Sequence, residues 1–473
     1  MENVIIVGAG EVGYYLADYL SRKRSYNVTL LDNSEEQANL ADQELNVSVI
    51  QANGSSAKEL MNVKVDSCDC FMAMTWDDRT NLIACSLAKA LGAKQTIARI
   101  HDQTYIDQSV LNYEEHFGID GLVNPESLCA IEIVQPIRNQ LRFIMELYAQ
   151  GEIEVEFLQV DESSKLKGKE IQELDLGSNL RIAYLQRDDR IYVASAQTRI
   201  FAGDLLIFFG EPKELRNYEK KYFKKAYTKV KSIVLCGASE IAIAIIRLLQ
   251  RKHYQVRLID SSEEKCSYFT KLFPDLTVLH GSPASHRLLE EERVGEADFF
   301  IACSSMDEEN VMACLQASRL GAQHIQVVLN NSDHEDALRS LSDVIGLKSI
   351  VSPRVATLNK VREYLSDEKY SRIGSLPDTH IQIIEIFIGS KSICLNQEIR
   401  NIGIPKGCIL LGLRRSSEIL VPSAEKVLRG EDRLLCLAPE DKIDSLLRVF
   451  YNRPVNVDQL FFQKEGIKKT MIA

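Results

Sequence analysis

The chain has 473 residues, of which 45% are hydrophobic and 26% are charged, which is the composition of a soluble globular protein with two to four domains. Its formal net charge of −11 argues against nucleic acid as a partner, since such a partner needs a broad basic face. No apolar run approaches the roughly 18–20 residues that span a bilayer, and the N-terminus lacks a signal-peptide pattern, so we expect a cytoplasmic protein.

The first predicted elements are a short aliphatic strand, a glycine-rich turn and an amphipathic helix. The turn reads GAGEVG, follows VIIV, and precedes a second strand that ends at Asp32. In a dinucleotide-binding turn, Gly8 would form the tight bend, Gly10 would let the backbone approach a pyrophosphate, and Gly13 would let helix and strand pack closely. Asp32 would bind ribose hydroxyls and favour NAD over NADP. A purely structural glycine turn in an α/β sheet stays open as the alternative.

Further candidates lie at the ends of the next strands, because ligands of parallel α/β sheets bind at the carboxyl ends of the strands. Asn53 and Gly54 end the predicted third strand, and Thr75 and Trp76 end the fourth. The cysteines include no C-x-x-C pair, which predicts reduced, buried thiols and no metal site.

Charged residues near the fourth and fifth strands have two interpretations. Arg99 ends the fifth strand and could bind a phosphate bidentately, or it could only pair with Asp102 or Asp107 at the surface. Asp77 and Asp78 are more typical of a helix cap than of catalytic groups.

After this α/β segment the pattern changes to short strands. Residues 1–120 alternate strands and helices, which indicates a parallel sheet covered on both faces, whereas 141–225 read as a small α+β domain. A helical connector over 126–141 is predicted to join the two. Residues 211–231 read as a charged linker whose basic run is a solvated helix face or, alternatively, a docking surface.

The same succession then repeats at an offset of 228–229 residues. Residues 69–93 match 298–322, and 190–210 match 418–438. A tandem duplication therefore predicts a second α/β domain over 229–348 and a second small domain over 367–450. The GD and GED turns of the small domains, which end at Asp204 and Asp432, look like parts of an assembly or minor ligand module.

The second copy of the glycine motif is altered. It reads GASEIA, so Ser239 and Ala242 replace the second and third glycines, while Asp260 still ends the second strand. The position of Arg99 is taken by Val328. A side chain at the second glycine position crowds a pyrophosphate, so we expect one good nucleotide site per chain and a weak, altered or structural second one.

The order of the motifs carries a family resemblance over nearly the whole chain. The motifs are GAGEVG with Asp32, NGSS (53–56), MTWDDRTN (74–81), ARI (98–100), GLVNPESL (121–128) and AGDLLIFFG (202–210). In this order they resemble the TrkA family, the cytoplasmic regulatory subunits of bacterial Trk potassium uptake systems. Residues after about Tyr451 are not explained by the repeat.

The resemblance implies an α/β fold: two Rossmann-like RCK N-terminal domains, each followed by a small α+β RCK C-terminal domain. It implies NAD or NADH as the cofactor, ATP or ADP as further ligands, and no metal. It further implies a membrane potassium-translocating subunit as partner, a homotetramer that forms a ring of eight lobes, and a location at the inner face of the cell membrane. Cofactor contacts carry over to Gly8, Ala9, Gly10, Glu11, Val12, Asp32, Thr75, Trp76 and Arg99.

Two functions remain open at this stage: an NAD-dependent oxidoreductase and a nucleotide sensor. A dehydrogenase needs a general acid or base near the nicotinamide, and the sequence offers no clear one. His101 is the nearest candidate, and it is more simply a surface histidine beside Asp102. Duplication of a whole sensing unit also suits a ring better than it suits catalysis, so we expect a regulator and no catalytic residues.

Overall fold

The chain divides into two compact bodies, each built from one segment of either repeat. The first comprises residues 1–137 and 228–366, and the second comprises 138–227 and 367–473. The computed structural model describes residues 1–106, 111–138, 154–176, 180–187, 190–222, 230–249, 254–330, 338, 342, 345–365, 370–375, 380–389, 392–415, 418–420 and 422–451.

The first body contains a lobe from the first repeat with a six-stranded parallel sheet in the order β3-β2-β1-β4-β5-β6. This is the Rossmann strand order, in which the chain crosses from β3 at one edge of the sheet to β4 on the other side of β1. Its strands are β1 (Glu2–Val7), β2 (Tyr26–Asp32), β3 (Ser48–Gln51), β4 (Cys70–Ala73), β5 (Gln95–Arg99) and β6 (Gly121–Val123). Its helices are α1 (Glu11–Ser21), α2 (Glu35–Glu44), α3 (Ala57–Asn62), α4 (Asp78–Leu91), α5 (Tyr113–Phe117) and α6 (Pro125–Val134).

The second lobe of this body repeats that topology. Between the two lobes, the chain forms the small domain of the first repeat, which belongs to the second body. The elements of that small domain are β7 (Glu154–Gln159), β8 (Leu180–Arg187), β9 (Arg190–Val193), β10 (Leu205–Gly210) and α7 (Pro212–Tyr222). The second lobe has the matching strand order β13-β12-β11-β14-β15-β16. Its strands are β11 (Lys231–Cys236), β12 (Tyr254–Asp260), β13 (Thr277–His280), β14 (Phe299–Ala302), β15 (Ile325–Val328) and β16 (Leu347–Val351). Its helices are α8 (Glu240–Leu249), α9 (Glu263–Leu272), α10 (His286–Glu291), α11 (Asp307–Arg319) and α12 (Pro353–Leu365).

In the first body, the last helix of each lobe packs against helices of the other lobe. Helix α6 packs against α8 of the second lobe, and α12 packs against α1 and α6. Leu358 and Val361 of α12 are buried in the hydrophobic core of the first lobe together with Leu16 and Leu20 of α1. Each glycine-loop helix is thus covered by a helix from the other repeat.

The second body contains two antiparallel sheets. The first has the order β7-β10-β8-β9, and the second has the order β17-β18-β21-β19-β20. The remaining elements are β17 (Tyr370–Ser375), β18 (Ile381–Phe387), β19 (Ile409–Arg415), β20 (Glu418–Leu420), β21 (Arg433–Pro439) and α13 (Ile443–Phe450). One hydrophobic cluster joins the two sheets, with Tyr184 and Phe209 on one side and Ile383 and Leu437 on the other.

The tandem α/β and α+β architecture is confirmed, but two connecting segments differ from expectation. The connector helix ends at Val134, and Pro136, which lacks a backbone N–H, cannot continue its hydrogen-bond pattern. The segment predicted as a linker contains α7, whose Leu215 and Tyr218 are buried in the core of the first small domain. The rest of the connector (139–141) and of the linker (223–229), like the tail after Tyr451, lies outside the described residues.

The cysteines behave as small buried hydrophobic residues. All eleven are free and buried, and their burial agrees with the prediction. Within the described residues, no group of three His, Cys, Asp or Glu side chains could hold a metal ion. Nor does the described part of the chain contain a helix of the length and hydropathy needed to cross a bilayer.

Candidate functional site

An open cavity of about 440 Å³ lies at the carboxyl edge of the first lobe's sheet. The ends of β1 to β5 converge there, as expected for a Rossmann sheet. The predicted residues that line the cavity are Gly8, Gly10, Glu11, Asp32, Asn53, Gly54, Thr75, Trp76 and Arg99. The other three predicted residues lie behind the cavity. Ala9 and Val12 are buried there, and Gly13 lies against the turn.

The three glycines of the loop have separate steric roles. Gly8 has a φ of +100°, a backbone conformation that side chains disfavour. A Cβ atom on Gly13 would lie 1.9 Å from the carbonyl oxygen of Gly8, so only glycine lets α1 approach the strand this closely. A Cβ atom on Gly10 would meet nothing within 4 Å, which leaves space in front of the helix end.

The N-terminus of α1 faces this space without a side-chain cap. Gly10 is the N-cap residue and makes no side-chain hydrogen bond to the first turn. Backbone N–H groups at such an end carry a partial positive charge and attract anions. The loop therefore has the geometry of a phosphate-binding helix end.

Asp32 has a structural role in addition to the predicted one. Its Oδ2 atom accepts a hydrogen bond of 2.6 Å from the N–H of Ala9, and its Oδ1 atom accepts one of 2.8 Å from the N–H of Ser34. These bonds fix the carboxylate beside the glycine loop. Each oxygen keeps a further lone pair for a ribose hydroxyl.

Gly54 permits close contact between the loop after β3 and the end of β1. A Cβ atom on Gly54 would lie 2.2 Å from a methyl carbon of Val7, so a larger residue would push this loop away from the cavity. Asn53 stiffens the same loop, because its Oδ1 atom accepts hydrogen bonds of 3.0 and 2.8 Å from the N–H and hydroxyl of Ser55.

Arg99 is buried beside the cavity, so its interpretation as a surface residue paired with Asp102 is wrong; Asp107 lies outside the described residues. The residue is 7% exposed, its Nη2 atom lies 3.6 Å from Glu126, and its guanidinium lies 5.2 Å from the ring centre of Trp76. Burial lowers the pKa of the guanidinium, although nearby carboxylates, Glu126 first, oppose this effect. Its buried Nε has no hydrogen-bond partner among the described residues, so a bound anion would satisfy it.

Asp77 caps α4 as predicted, whereas Asp78 has a different role. Asp77 accepts a hydrogen bond of 2.9 Å from the N–H of Thr80. Asp78 accepts bonds from the N–H and the Nδ1 atom of His101, both 2.9 Å, and from the N–H of Asp102 at 2.8 Å. Because the His101 ring is largely buried, 4.4 Å from the ring centre of Trp76, the interpretation of His101 as a surface histidine is wrong.

We expect Asp78 to make stability depend on pH. Burial alone would raise its pKa, but hydrogen bonds from the His101 side chain and from the backbone of Asp102 and His101 lower it on balance. A lowered folded-state pKa gives a stabilisation that is complete above about pH 4 and is lost as the pH falls through the folded value. Asp78→Asn should therefore lower the free energy of unfolding at pH 7, and this loss should shrink as the pH falls below about 4, measured by urea unfolding.

The matched control for Asp78 is Asp42→Asn, which alters an exposed carboxylate on α2. Its effect should be small at both pH values. A difference between wild type and Asp78→Asn that stays constant from pH 7 to pH 3 would contradict the assignment.

Asn81 was missed as part of the site's framework. Its Oδ1 atom accepts from the N–H of Thr75 at 3.0 Å, and its Nδ2 atom donates to the carbonyls of Thr75 and Arg99, both at 2.9 Å. Asn310 makes the same three bonds in the second lobe. The retention of asparagine at this register in both repeats was the available sequence signal.

The corresponding loop of the second lobe differs where the motif differs. The hydroxyl of Ser239 donates a 2.6 Å hydrogen bond to the carbonyl of Cys303, across the end of β14. Asp260 keeps the bond to the loop, accepting from the N–H of Ala238 at 2.6 Å, and is itself only 5% exposed. The carboxylate therefore serves the loop conformation in both repeats. That the second site is weak, altered or structural stays a prediction.

Comparisons with known proteins agree with this architecture. The TrkA-N domain model matches residues 4–125 and 233–353, and the TrkA-C domain model matches 155–222 and 383–451. A Trk system potassium uptake protein trkA homolog of Methanosarcina mazei is 30% identical over 411 residues, covering 85% of this chain and 99% of the relative. TrkA of Halomonas elongata is 25% identical over 455 residues, covering 94% and 98%.

Solved structures share the fold. The structure described as the GsuK channel bound to NAD has a TM-score of 0.53 at 17% identity, covering 95% of this chain and 78% of the other. The GsuK RCK domain has a TM-score of 0.51 at 16% identity, covering 95% and 94%. With both domain models matched twice and similarity over nearly its whole length, the chain belongs to the TrkA family of Trk system potassium uptake proteins.

Proposed function

We propose that the chain is the nucleotide-sensing regulatory subunit of a Trk-type potassium uptake system. The observation that carries the proposal is the first-lobe cavity, where an uncapped helix end, the Asp32 carboxylate and the buried Arg99 guanidinium meet. The relatives named as potassium uptake proteins, which match over most of the chain, support the transport system. The ligand in this proposal is NAD or NADH, with ATP or ADP as further ligands.

In the proposed binding mode, backbone groups from Gly8 to Gly13, those of Ala9 and Val12 included, hold the phosphates at the end of α1. Asp32 accepts the ribose hydroxyls. Arg99 binds a phosphate through its Nε, which has no partner among the described residues, and the exposed ring of Trp76 offers a stacking surface for a base. Asn53, Gly54 and Thr75 form the wall beneath them.

Regulation in this proposal is a population shift between two assembled states. A nucleotide shifts the equilibrium only by its difference in affinity for the two states. The proposed assembly is a homotetramer bound to the membrane potassium-translocating subunit at the inner face of the membrane. Its domains are the RCK N-terminal domains over 1–120 and 229–348 and the RCK C-terminal domains over 141–225 and 367–450.

We propose that the nucleotide is bound without being turned over. In the oxidoreductase alternative His101 is the candidate proton donor, but its Nδ1 is held by Asp78 and its ring lies against Trp76. His101 does not line the described cavity. Steady oxidation of NADH, followed at its absorbance band with added oxo acids, would favour the enzyme instead.

The test is calorimetric titration of the full chain with NADH and with ATP. Gly10→Val should weaken binding by at least about tenfold, because the new side chain enters the space in front of α1, where a Cβ atom meets no protein atom within 4 Å. Ser239→Val, the same side chain at the matching position of the second repeat, is the control and should leave that binding unchanged. Undiminished binding by Gly10→Val would refute the site.

The regulatory step is tested separately by potassium flux. Vesicles that contain the membrane subunit receive wild-type chain or Gly10→Val, with and without NADH or ATP. The wild type should make flux depend on nucleotide, and Gly10→Val should not. Flux that ignores nucleotide in the presence of wild-type chain would refute the regulatory role.

A further inference from the structure

Arg354 of the second repeat reaches the glycine loop of the first. It lies in the first turn of α12, the helix that packs on α1. Its Nη2 atom is 3.4 Å from Oε1 of Glu11, the first residue of α1. Glu11 lines the nucleotide cavity, so the guanidinium stands at the edge of the cavity although it does not itself line it.

The Arg354 side chain is incompletely satisfied in this position. It is 17% exposed, and its buried Nε has no hydrogen-bond partner among the described residues. The Glu11 side chain is 69% exposed, and ion pairs with such an exposed partner are weak. The Glu11 carboxylate can therefore be exchanged for a stronger anionic partner at little cost.

The two repeats differ in charge at this position. The residue of α6 that corresponds to Arg354 is Glu126, which pairs with Arg99 inside its own lobe. The duplication thus placed a carboxylate after one connecting proline and a guanidinium after the other, Pro125 and Pro353. The Arg354 guanidinium contacts the first residue of the helix that follows the glycine motif with all three glycines.

We propose that Arg354 is a ligand-binding residue of the first-lobe nucleotide site, and that it favours nucleotides with a phosphate beyond the pyrophosphate, such as ATP, over NAD. This inference rests on the proposed function and deepens it. It makes the site a shared one, in which the first repeat binds the nucleotide and the second repeat reads the length of its phosphate chain.

The reason is that the Glu11 carboxylate is itself an anion, and it lies at the helix end where phosphates bind. A terminal phosphate carries more charge than a carboxylate and matches the planar guanidinium bidentately, so it displaces Glu11 from Arg354. In NAD the pyrophosphate is flanked on both sides by ribose, and no further phosphate extends toward Arg354. The difference in affinity between ATP and NADH should therefore depend on this one side chain.

The experiment is calorimetric titration of the full chain with ATP, ADP and NADH in separate runs. Arg354→Gln should weaken ATP binding by about tenfold and NADH binding by less than about threefold. Arg354→Lys should be intermediate for ATP, because an ammonium keeps the charge without the bidentate geometry. Arg362→Gln removes the same charge from the last turn of α12 and is the matched control, with no change for any of the three ligands.

Glu11→Gln provides a test with the opposite sign and does not rely on the folding of the Arg354 variants. It removes the competing carboxylate, so ATP should bind more tightly while NADH changes less. An unchanged ratio of ATP to NADH affinity in both Arg354→Gln and Glu11→Gln would overturn the inference and leave the proposed function standing. A wild-type chain that binds none of the three nucleotides would overturn both.

Discussion

Replacing Asp432 with alanine should lower the free energy of unfolding of the second small domain by about 3–5 kcal/mol. Asp432 is fully buried and binds Arg415 through both oxygens, each at 2.8 Å. It also accepts the N–H of Arg429 at 2.7 Å, so its loss removes the carboxylate from a guanidinium whose side chain is only 20% exposed and takes the acceptor from a backbone donor. The measurement is urea unfolding of the full chain, followed by hydrogen exchange in β19 and β21.

The control for Asp432 is Asp441→Ala, which removes a carboxylate that is 74% exposed and should cost less than about 0.5 kcal/mol. Asp204→Ala should repeat the large effect in the first small domain, because Asp204 binds Arg187 through both oxygens at 2.7 Å. Equal losses for Asp432→Ala and Asp441→Ala would contradict this account. The buried pairs also give the GD and GED turns a structural role, where the sequence suggested a ligand or assembly module.

Replacing Gly13 with alanine should both destabilise the first lobe and abolish nucleotide binding. The new Cβ atom would lie 1.9 Å from the Gly8 carbonyl oxygen, and since that neighbour is backbone it cannot rotate away. The helix must shift from the strand, at a cost of about 3 kcal/mol. Hydrogen exchange in β1 and α1 measures the loss, and NADH titration measures binding.

Gly10→Ala is the matched control three residues earlier in the same loop. Its Cβ atom would meet nothing within 4 Å and its φ of −71° suits alanine, so stability should stay within about 1 kcal/mol of wild type. Nucleotide binding should still weaken, because the methyl group enters the space before the helix end. Faster exchange in Gly10→Ala than in Gly13→Ala would show that the loop is held together differently.

Much of the fold could be predicted because its signals are local or repeated. Aliphatic runs that alternate with helical patterns predict parallel sheets. Matching segments that keep the same sequence offset along the chain indicate two copies of one unit. The glycine loop is equally local, since its function depends on backbone space at fixed spacing. Most of the predicted site residues consequently line one cavity.

The charged side chains were predicted less well. Surface pairing was one of two interpretations of Arg99, and His101 reads as a surface histidine, yet both are largely buried, because Glu126 and Asp78 approach them from other segments. Likewise, the segment with α7 is rich in charge and reads as a linker, although Leu215 and Tyr218 are buried. The charge content of a segment does not indicate whether its few apolar residues are enough to pack its helix against the domain.

The sequence by itself determined the duplication, the alternation of strands and helices in each α/β lobe and the intact first glycine loop, because these depend on periodicity and on residues close together in the chain. Only the tertiary structure decided that each connecting helix covers the glycine-loop helix of the other repeat, and so which side chains meet at the nucleotide cavity. The physical reason is that the hydrophobic effect has no direction: an apolar helix face must be buried, but its sequence does not specify which neighbour buries it. The contact between Glu11 and Arg354 follows from that choice of neighbour.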